Sequence, residues 1–244
     1  DLCYKTINAL EVDKLASIIN NDGKILDIAS KTGEFAFALY YLLKDKVDIK
    51  KLKKSIYSIP TSTITYEFTR KIYEVLGLDT GCISNMTSFD LLEYKVKKKI
   101  NVEKFIKEKF LTGGETNMKF SVVIGNPPYQ ATVREATTGN NKNTIDIYQD
   151  FQDIALKLSD ATCLIYPAKE YQRGTLNTKD ENLISLRIYN GRNREGEKHI
   201  PGESSVFGDA VRRIPGDVGL VYFNKDKTKH NKKILYQDTL IERS

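Results

Sequence analysis

Apolar residues fall along this chain in short blocks separated by polar turns, and the blocks alternate in kind. "KILDIA" (24–29) is a strand-length apolar run backed by a small polar turn, "ASKTG". "GEFAFALYYLLKDK" follows, with the length and apolar content of a helix packed on a sheet. "KSIYSIP" (54–60) predicts a second strand closed by Pro60, and "TITYEFTRKIYEVLGL" (63–78) a second helix with Gly77 near its C-terminal end. "GCISNMTSF" (81–89) carries a weaker strand signal, and a lysine-rich helix is expected over 93–110. "KFSVVIGN" (119–126) is nearly all apolar, the pattern of a strand buried on both faces. The polar stretch "ATVREATTGNNKNTID" (131–146) predicts a mobile loop, 147–160 a helix, and 161–169 and 217–225 two further strands.

Strands regularly separated by helices imply an α/β fold with a mostly parallel sheet and right-handed crossovers. Ligands of such sheets bind beyond the carboxyl ends of the strands. The site is therefore expected where "DIASKTGEF", "PTST", "SFDLL" and "NPPYQ" meet along one edge. No internal repeat or low-complexity tract is found.

Composition narrows the class. With 244 residues, 40% of them hydrophobic, the chain is long enough for one large α/β domain with a well-buried core. No apolar run approaches the roughly 20 residues that cross a bilayer, and the N-terminus lacks the basic and apolar regions of a signal peptide. A cytoplasmic protein without a membrane partner is expected. Cys3, Cys82 and Cys163 are odd in number and widely spaced, which argues against a disulfide framework and a zinc site. His199 and His230 have no helix-spaced partner, so no metal is expected. The formal charge of +6, with lysines concentrated at 44–54 and 93–110, suits a phosphate-bearing partner; lysine-rich helical faces are more often simply solvated. The chain starts at Asp1 without a methionine and stops at "LIERS", which reads as a piece of something longer.

The chemistry concentrates in "VVIGNPPYQ" (122–130), a strand that ends in an asparagine, two prolines and a tyrosine. An asparagine carboxamide oxygen accepts a hydrogen bond from an amino group, and a proline supplies a carbonyl acceptor on a fixed backbone. Two acceptors aimed at one NH2 prepare its nitrogen for attack on an electrophile. Tyr129 adds a flat face on which the attached base can stack. Asn126-Pro127-Pro128-Tyr129 after a buried strand resembles motif IV of the amino-group methyltransferases that use S-adenosylmethionine. Asparagine in first place is similar to the adenine N6 enzymes, serine being more typical of cytosine N4 enzymes.

"ILDIASKTGEFAFAL" resembles motif I of the same family, in which an acid ends the first strand and a glycine-bearing turn admits the methionine part of the cofactor. The resemblance assigns Asp27, Ser30, Thr32 and Gly33 to cofactor binding. Ile28 and Lys31 stand where the more familiar form has proline and glycine, and the G-x-x-x-x-G-K-[ST] spacing of a phosphate loop is absent. The family's acid after the second strand is missing from "SIPTST", leaving Pro60 and Thr61 as weak contacts. Asp90 in "SFDLL" matches the acid that takes the cofactor's adenine amino group, with Phe89 or Leu91 packing on the ring; a helix cap is an equal reading of Asp90.

Asp27 precedes Asn126 by 99 residues, which three βα units fill, so no recognition domain fits between the motifs. That order resembles the γ group, in which recognition lies downstream of the catalytic core, and "FGDAVRRIPGDVGLVYFNKDKTK" (207–229) is similar to the late strand region of large restriction-modification adenine methylases. The resemblance implies a Rossmann-like methyltransferase fold, a mostly parallel seven-stranded sheet with helices on both faces, occupying 1–244 as one catalytic domain. It implies methyl transfer to adenine N6 in double-stranded DNA with the base flipped out. The target-recognition domain or specificity subunit would lie outside this chain. RNA or a protein glutamine as substrate, and a degenerate DNA-binding scaffold, are the alternatives.

Overall fold

Eight strands form one sheet in the computed structural model, which describes residues 2–92, 119–133, 143–167, 183–189, 218–224, 233–236 and 239–242. The sheet strands are β1 (Ile25–Ser30), β2 (Ile56–Pro60), β3 (Val122–Gly125), β6 (Ala161–Pro167), β7 (Leu183–Tyr189), β8 (Val218–Asn224), β9 (Lys233–Tyr236) and β10 (Thr239–Glu242). A separate two-stranded ribbon pairs β4 (Gln130–Val133) with β5 (Asn143–Asp146). The order across the sheet is β10-β9-β7-β8-β6-β3-β1-β2. β2, β1, β3 and β6 are mutually parallel, whereas β8 is antiparallel to both β6 and β7. The expected α/β class with a parallel core is present, and among the described residues the sheet has eight strands where seven were expected.

The parallel half is buried because its strands are apolar on both faces: every residue of β1, β2 and β3 is buried. Helices α1 (Leu2–Ala9), α3 (Glu34–Leu43) and α5 (Thr63–Leu76) pack in a row, with α3 and α5 resting on β1 and β2. α2 (Val12–Asn20) packs on α3 and on α4 (Ile49–Ser55), and α6 (Tyr148–Leu158) covers β6. α5 starts at a capping box in which Ser62 and Thr65 satisfy each other's backbone N–H, and it stops at Gly77 in the left-handed region.

Two expectations are corrected. Residues 81–89 do not form a strand: a 3-10 turn at Thr80–Cys82 leads to a single parallel bridge, Ser58 with Ile83. The Asp79 side chain accepts from Gly81 N at 2.9 Å and Ser84 Oγ from Met86 N at 3.2 Å, and these local bonds turn the chain out of the ladder. The stretch 131–146 is not simply a loop, because both its ends pair in the ribbon, from Gln130 opposite Asp146 to Val133 opposite Asn143. The lysine-rich helix expected at 93–110 lies outside the described residues, as do His199 and His230.

Candidate active site

β1 contains an irregularity that organises the carboxyl edge. Its ladder with β2 advances three residues, Asp27 to Ser30, while β2 advances two, Ser58 to Pro60. Asp27 supports this bulge: Oδ1 accepts from Ala29 N at 3.2 Å. The side chain is buried, and Oδ2 has no hydrogen-bond partner among the described residues. Burial, with the charge of Glu34 second, pushes the carboxyl well above the usual aspartate range.

The turn after β1 is held from within. Ser30 Oγ accepts from Gly33 N at 3.2 Å and pairs with Thr69 Oγ1 at 3.0 Å, so its hydroxyl serves the turn and α5. Thr32 donates to Glu34 Oε2 through both N, at 2.7 Å, and Oγ1, at 3.0 Å. Gly33 has a φ of +76°, and a Cβ there would lie 3.0 Å from Ile72 Cβ. That glycine is required by the packing of α5 whatever else it meets.

At the end of β2, Pro60 is buried opposite Ser30, and Thr61 N donates to Ser30 O at 3.0 Å. Thr61 Oγ1 pairs with Thr65 Oγ1 at 3.2 Å. Asp90 is exposed and forms a reciprocal cap with Thr87: its Oδ2 accepts from Thr87 N at 2.7 Å and Thr87 Oγ1 at 2.9 Å, while its N donates to Thr87 Oγ1 at 3.2 Å. The N-cap expected as one reading of Asp90 is thus taken by Thr87, and Asp90 is its reciprocal partner three residues on. Of the two apolar candidates beside it, Phe89 is 40% exposed and Leu91 1%, so Phe89 is the one a ligand could reach.

Ser88 is a feature that pattern reading missed. It is fully buried, and Oγ lies 3.0 Å from Ile28 O, 3.2 Å from Pro60 O and 3.5 Å from Ile59 O. One hydroxyl thus fastens the Phe89–Asp90 segment to the ends of β1 and β2. Nothing in a serine before an aromatic residue signals this, because the carbonyls come together only in the fold.

The tetrapeptide 126–129 begins beside Asp27. Gly125 has a φ of +153°, and a Cβ on it would lie 3.2 Å from Asp27 Oδ1 and 3.1 Å from Ile28 Cγ2. Its glycine at a strand end was a readable signal of close backbone approach. Asn126 is half-buried, and its Oδ1 accepts from Tyr129 Oη at 2.9 Å. Pro127 is buried and Pro128 half-buried. Tyr129 is half-buried against the core, its carbonyl accepts from Ile147 N at 2.9 Å at the entrance to α6, and burial raises its hydroxyl pKa. The fold therefore brings Asp27, the 30–33 turn, the 60–61 and 88–90 segments and the 126–129 loop to one edge. Their chemistry is a buried carboxylate beside a loop of hydrogen-bond acceptors.

The basic run at 44–54 lies elsewhere. α4 feeds the amino end of β2, the opposite edge of the sheet, and part of the charge of the 44–54 run is paired: Lys46, ahead of α4, with Asp13 at 2.8 Å and Lys51 with Asp22 at 2.9 Å. Cys3, Cys82 and Cys163 are buried and form no disulfide. Among the described residues no group of three or more His, Cys, Asp or Glu could hold a metal, and no helix is long and apolar enough to cross a membrane.

Solved structures share this fold at low identity. One is a DrdV–DNA complex (16% identity, TM-score 0.59), matched over 90% of this chain and 25% of that one. Another is a modification subunit assigned to a type I restriction enzyme from Vibrio vulnificus YJ016 (13%, TM-score 0.52), matched over 92% and 45%. A third is the ATP-dependent type ISP restriction-modification enzyme LlaBIII bound to DNA (14%, TM-score 0.54), matched over 95% and 19%. The chain thus spans less than half the length of each. Comparison with curated proteins finds no match. A family model for the Eco57I restriction-modification methylase matches residues 26–187, from the strand that carries Asp27, through Asn126–Tyr129, into β7. By that match, which covers well over half its length, the chain belongs to the Eco57I restriction-modification methylase family.

Proposed function

We propose that this chain is the catalytic domain of a DNA methyltransferase that transfers a methyl group from S-adenosylmethionine to the N6 amino group of adenine. The observation that carries this reading is the meeting of the two loops: the buried Asp27 lies against Gly125, which leads directly into Asn126-Pro127-Pro128-Tyr129. The cofactor, when bound, supplies an electrophilic methyl on a sulfonium. Its cationic ammonium suits Asp27, whose Oδ2 is buried and has no partner among the described residues. Phe89 offers an exposed ring for the adenine of the cofactor, with Asp90 beside it. Ser30, Thr32 and Gly33 shape the turn, and Pro60 and Thr61 are its weaker contacts, since no acid ends β2.

The chain's own residues then act on the target base. Asn126 Oδ1 and the Pro127 carbonyl accept from its amino group and raise electron density on the nitrogen as it becomes tetrahedral. Pro128 stiffens the loop, and Tyr129 supplies the stacking face. These are preorganised acceptors and orientation, acting without a covalent enzyme intermediate. Double-stranded DNA with a flipped adenine is the substrate, and a recognition domain or specificity subunit outside these residues supplies the sequence preference.

Transfer of labelled methyl to DNA, RNA and protein in parallel tests the substrate class, and incorporation confined to RNA or protein would replace DNA in this reading. Asn126→Ala is expected to lower turnover by about 100-fold or more, with cofactor affinity nearly unchanged. The missing acid after β2 favours one second reading, a domain that binds DNA but no longer transfers methyl. Calorimetry with S-adenosylmethionine decides between the two, because a degenerate domain gives no binding heat.

A further inference from the structure

Tyr129 makes a contact that a stacking ring does not need. Its hydroxyl donates to Asn126 Oδ1 at 2.9 Å, its carbonyl accepts from Ile147 N at 2.9 Å, and its ring packs against the core. Backbone, ring and hydroxyl are each held, so the residue is a fixed post. Burial keeps the hydroxyl protonated. A phenol is also a better donor than acceptor, because its lone pairs delocalise into the ring. The carboxamide facing it therefore presents oxygen and not nitrogen. That oxygen has two lone pairs, and the phenol uses one, leaving the other for an amino N–H.

We propose that the Tyr129 hydroxyl is a positioning group for Asn126, fixing the flip and rotamer of the carboxamide before a base enters. The inference rests on the amino-group reading given above. An asparagine free to flip would turn its own NH2 toward the incoming NH2, donor against donor. Each productive encounter would then have to select the correct arrangement. The stacking face is the same with or without the hydroxyl, so its effect belongs to turnover and not to base capture.

Tyr129→Phe keeps the ring and removes the donor. Turnover on adenine in DNA is expected to fall about three- to tenfold, the scale of one hydrogen bond, with KM for DNA and cofactor affinity unchanged. In an Asn126→Ala background the same substitution is expected to change nothing further, since the partner is gone. Relaxation of the 15N-labelled Asn126 side-chain amide gives a second readout that needs no substrate: rigid in the native protein, and gaining fast motion in Tyr129→Phe. Equal turnover for Tyr and Phe with unaltered Asn126 relaxation overturns the proposal, and so does a loss confined to KM. If the native protein transfers no methyl to adenine in DNA, the functional reading fails. The amide relaxation then still decides whether Tyr129 holds Asn126.

Discussion

A carboxyl group inside a parallel sheet, with one oxygen on the Ala29 amide and the other unpartnered among the described residues, favours its protonated form. The sign of the pH effect follows. Between the ordinary aspartate pKa, near 4, and the raised value of Asp27, the folded state binds more proton than the unfolded one. Stability is therefore fully present at low pH and falls as pH rises through that window. Asp27→Asn is expected to remove this slope and raise Tm at neutral pH in melts run from pH 4 to 8, while weakening binding of S-adenosylmethionine. A gain in stability with a loss of binding would mark Asp27 as a residue retained for a ligand. An Asn variant melting below the native protein at every pH would refute this account. Gly125 is coupled to the same group. Gly125→Ala forces a φ of +153° on a residue with a Cβ and drives that Cβ toward Asp27 Oδ1. A cost of about 1 to 3 kcal/mol is expected in denaturant unfolding.

Between elements, the joint that matters is Ser88. Ser88→Ala leaves the Ile28, Ile59 and Pro60 carbonyls facing a methyl group, which is expected to cost about 1 to 3 kcal/mol in unfolding. Cofactor binding should weaken with it, because Phe89 and Asp90 ride on the same segment; calorimetry of the variant checks this, and unchanged affinity would remove the segment from the site. Elements made of apolar runs with turn residues behind them were legible in the sequence: β1, β2, β3, β6 and β8, with α3, α5 and α6. The α1–α2 pair was not read, since α2 buries little beyond Leu15, Ala16 and Ile19 and its stripe is short. The ribbon of β4 and β5 was read as a loop because "QATV" and "NTID" are only four residues each and carry one large apolar side chain apiece, Val133 and Ile145, and their pairing depends on the chain returning to Tyr129. Candidate residues could be named from the sequence where the proposed chemistry dictates residue type, as in Asn126 and Asp27. They were illegible where a backbone contact forms only in three dimensions, as at Ser88.

For the whole molecule, a net charge of +6 favours a polyanion without naming its sequence. Binding of this chain to duplex DNA is expected to be weak, little dependent on sequence, and reduced at least about tenfold between 50 and 200 mM salt. Titrations showing tight, salt-independent binding to one site would mean that recognition resides in these residues after all.

The sheet order has a further consequence, for synthesis. β7 is flanked by β8 and β9, both of which follow it in the chain. While the protein emerges from the ribosome, β1, β2, β3 and β6 can pair in the order in which they appear. β7 has neither of its sheet neighbours until residues 218–224 have been made. A nascent chain held with residues up to about 200 outside the exit tunnel should therefore carry a folded parallel half and an unprotected β7, whereas one with β8 and β9 also outside the tunnel should protect it. Proteolysis of ribosome-bound chains of the two lengths would reveal this interval, during which an apolar strand with two unpaired edges awaits its neighbours and is open to chaperones.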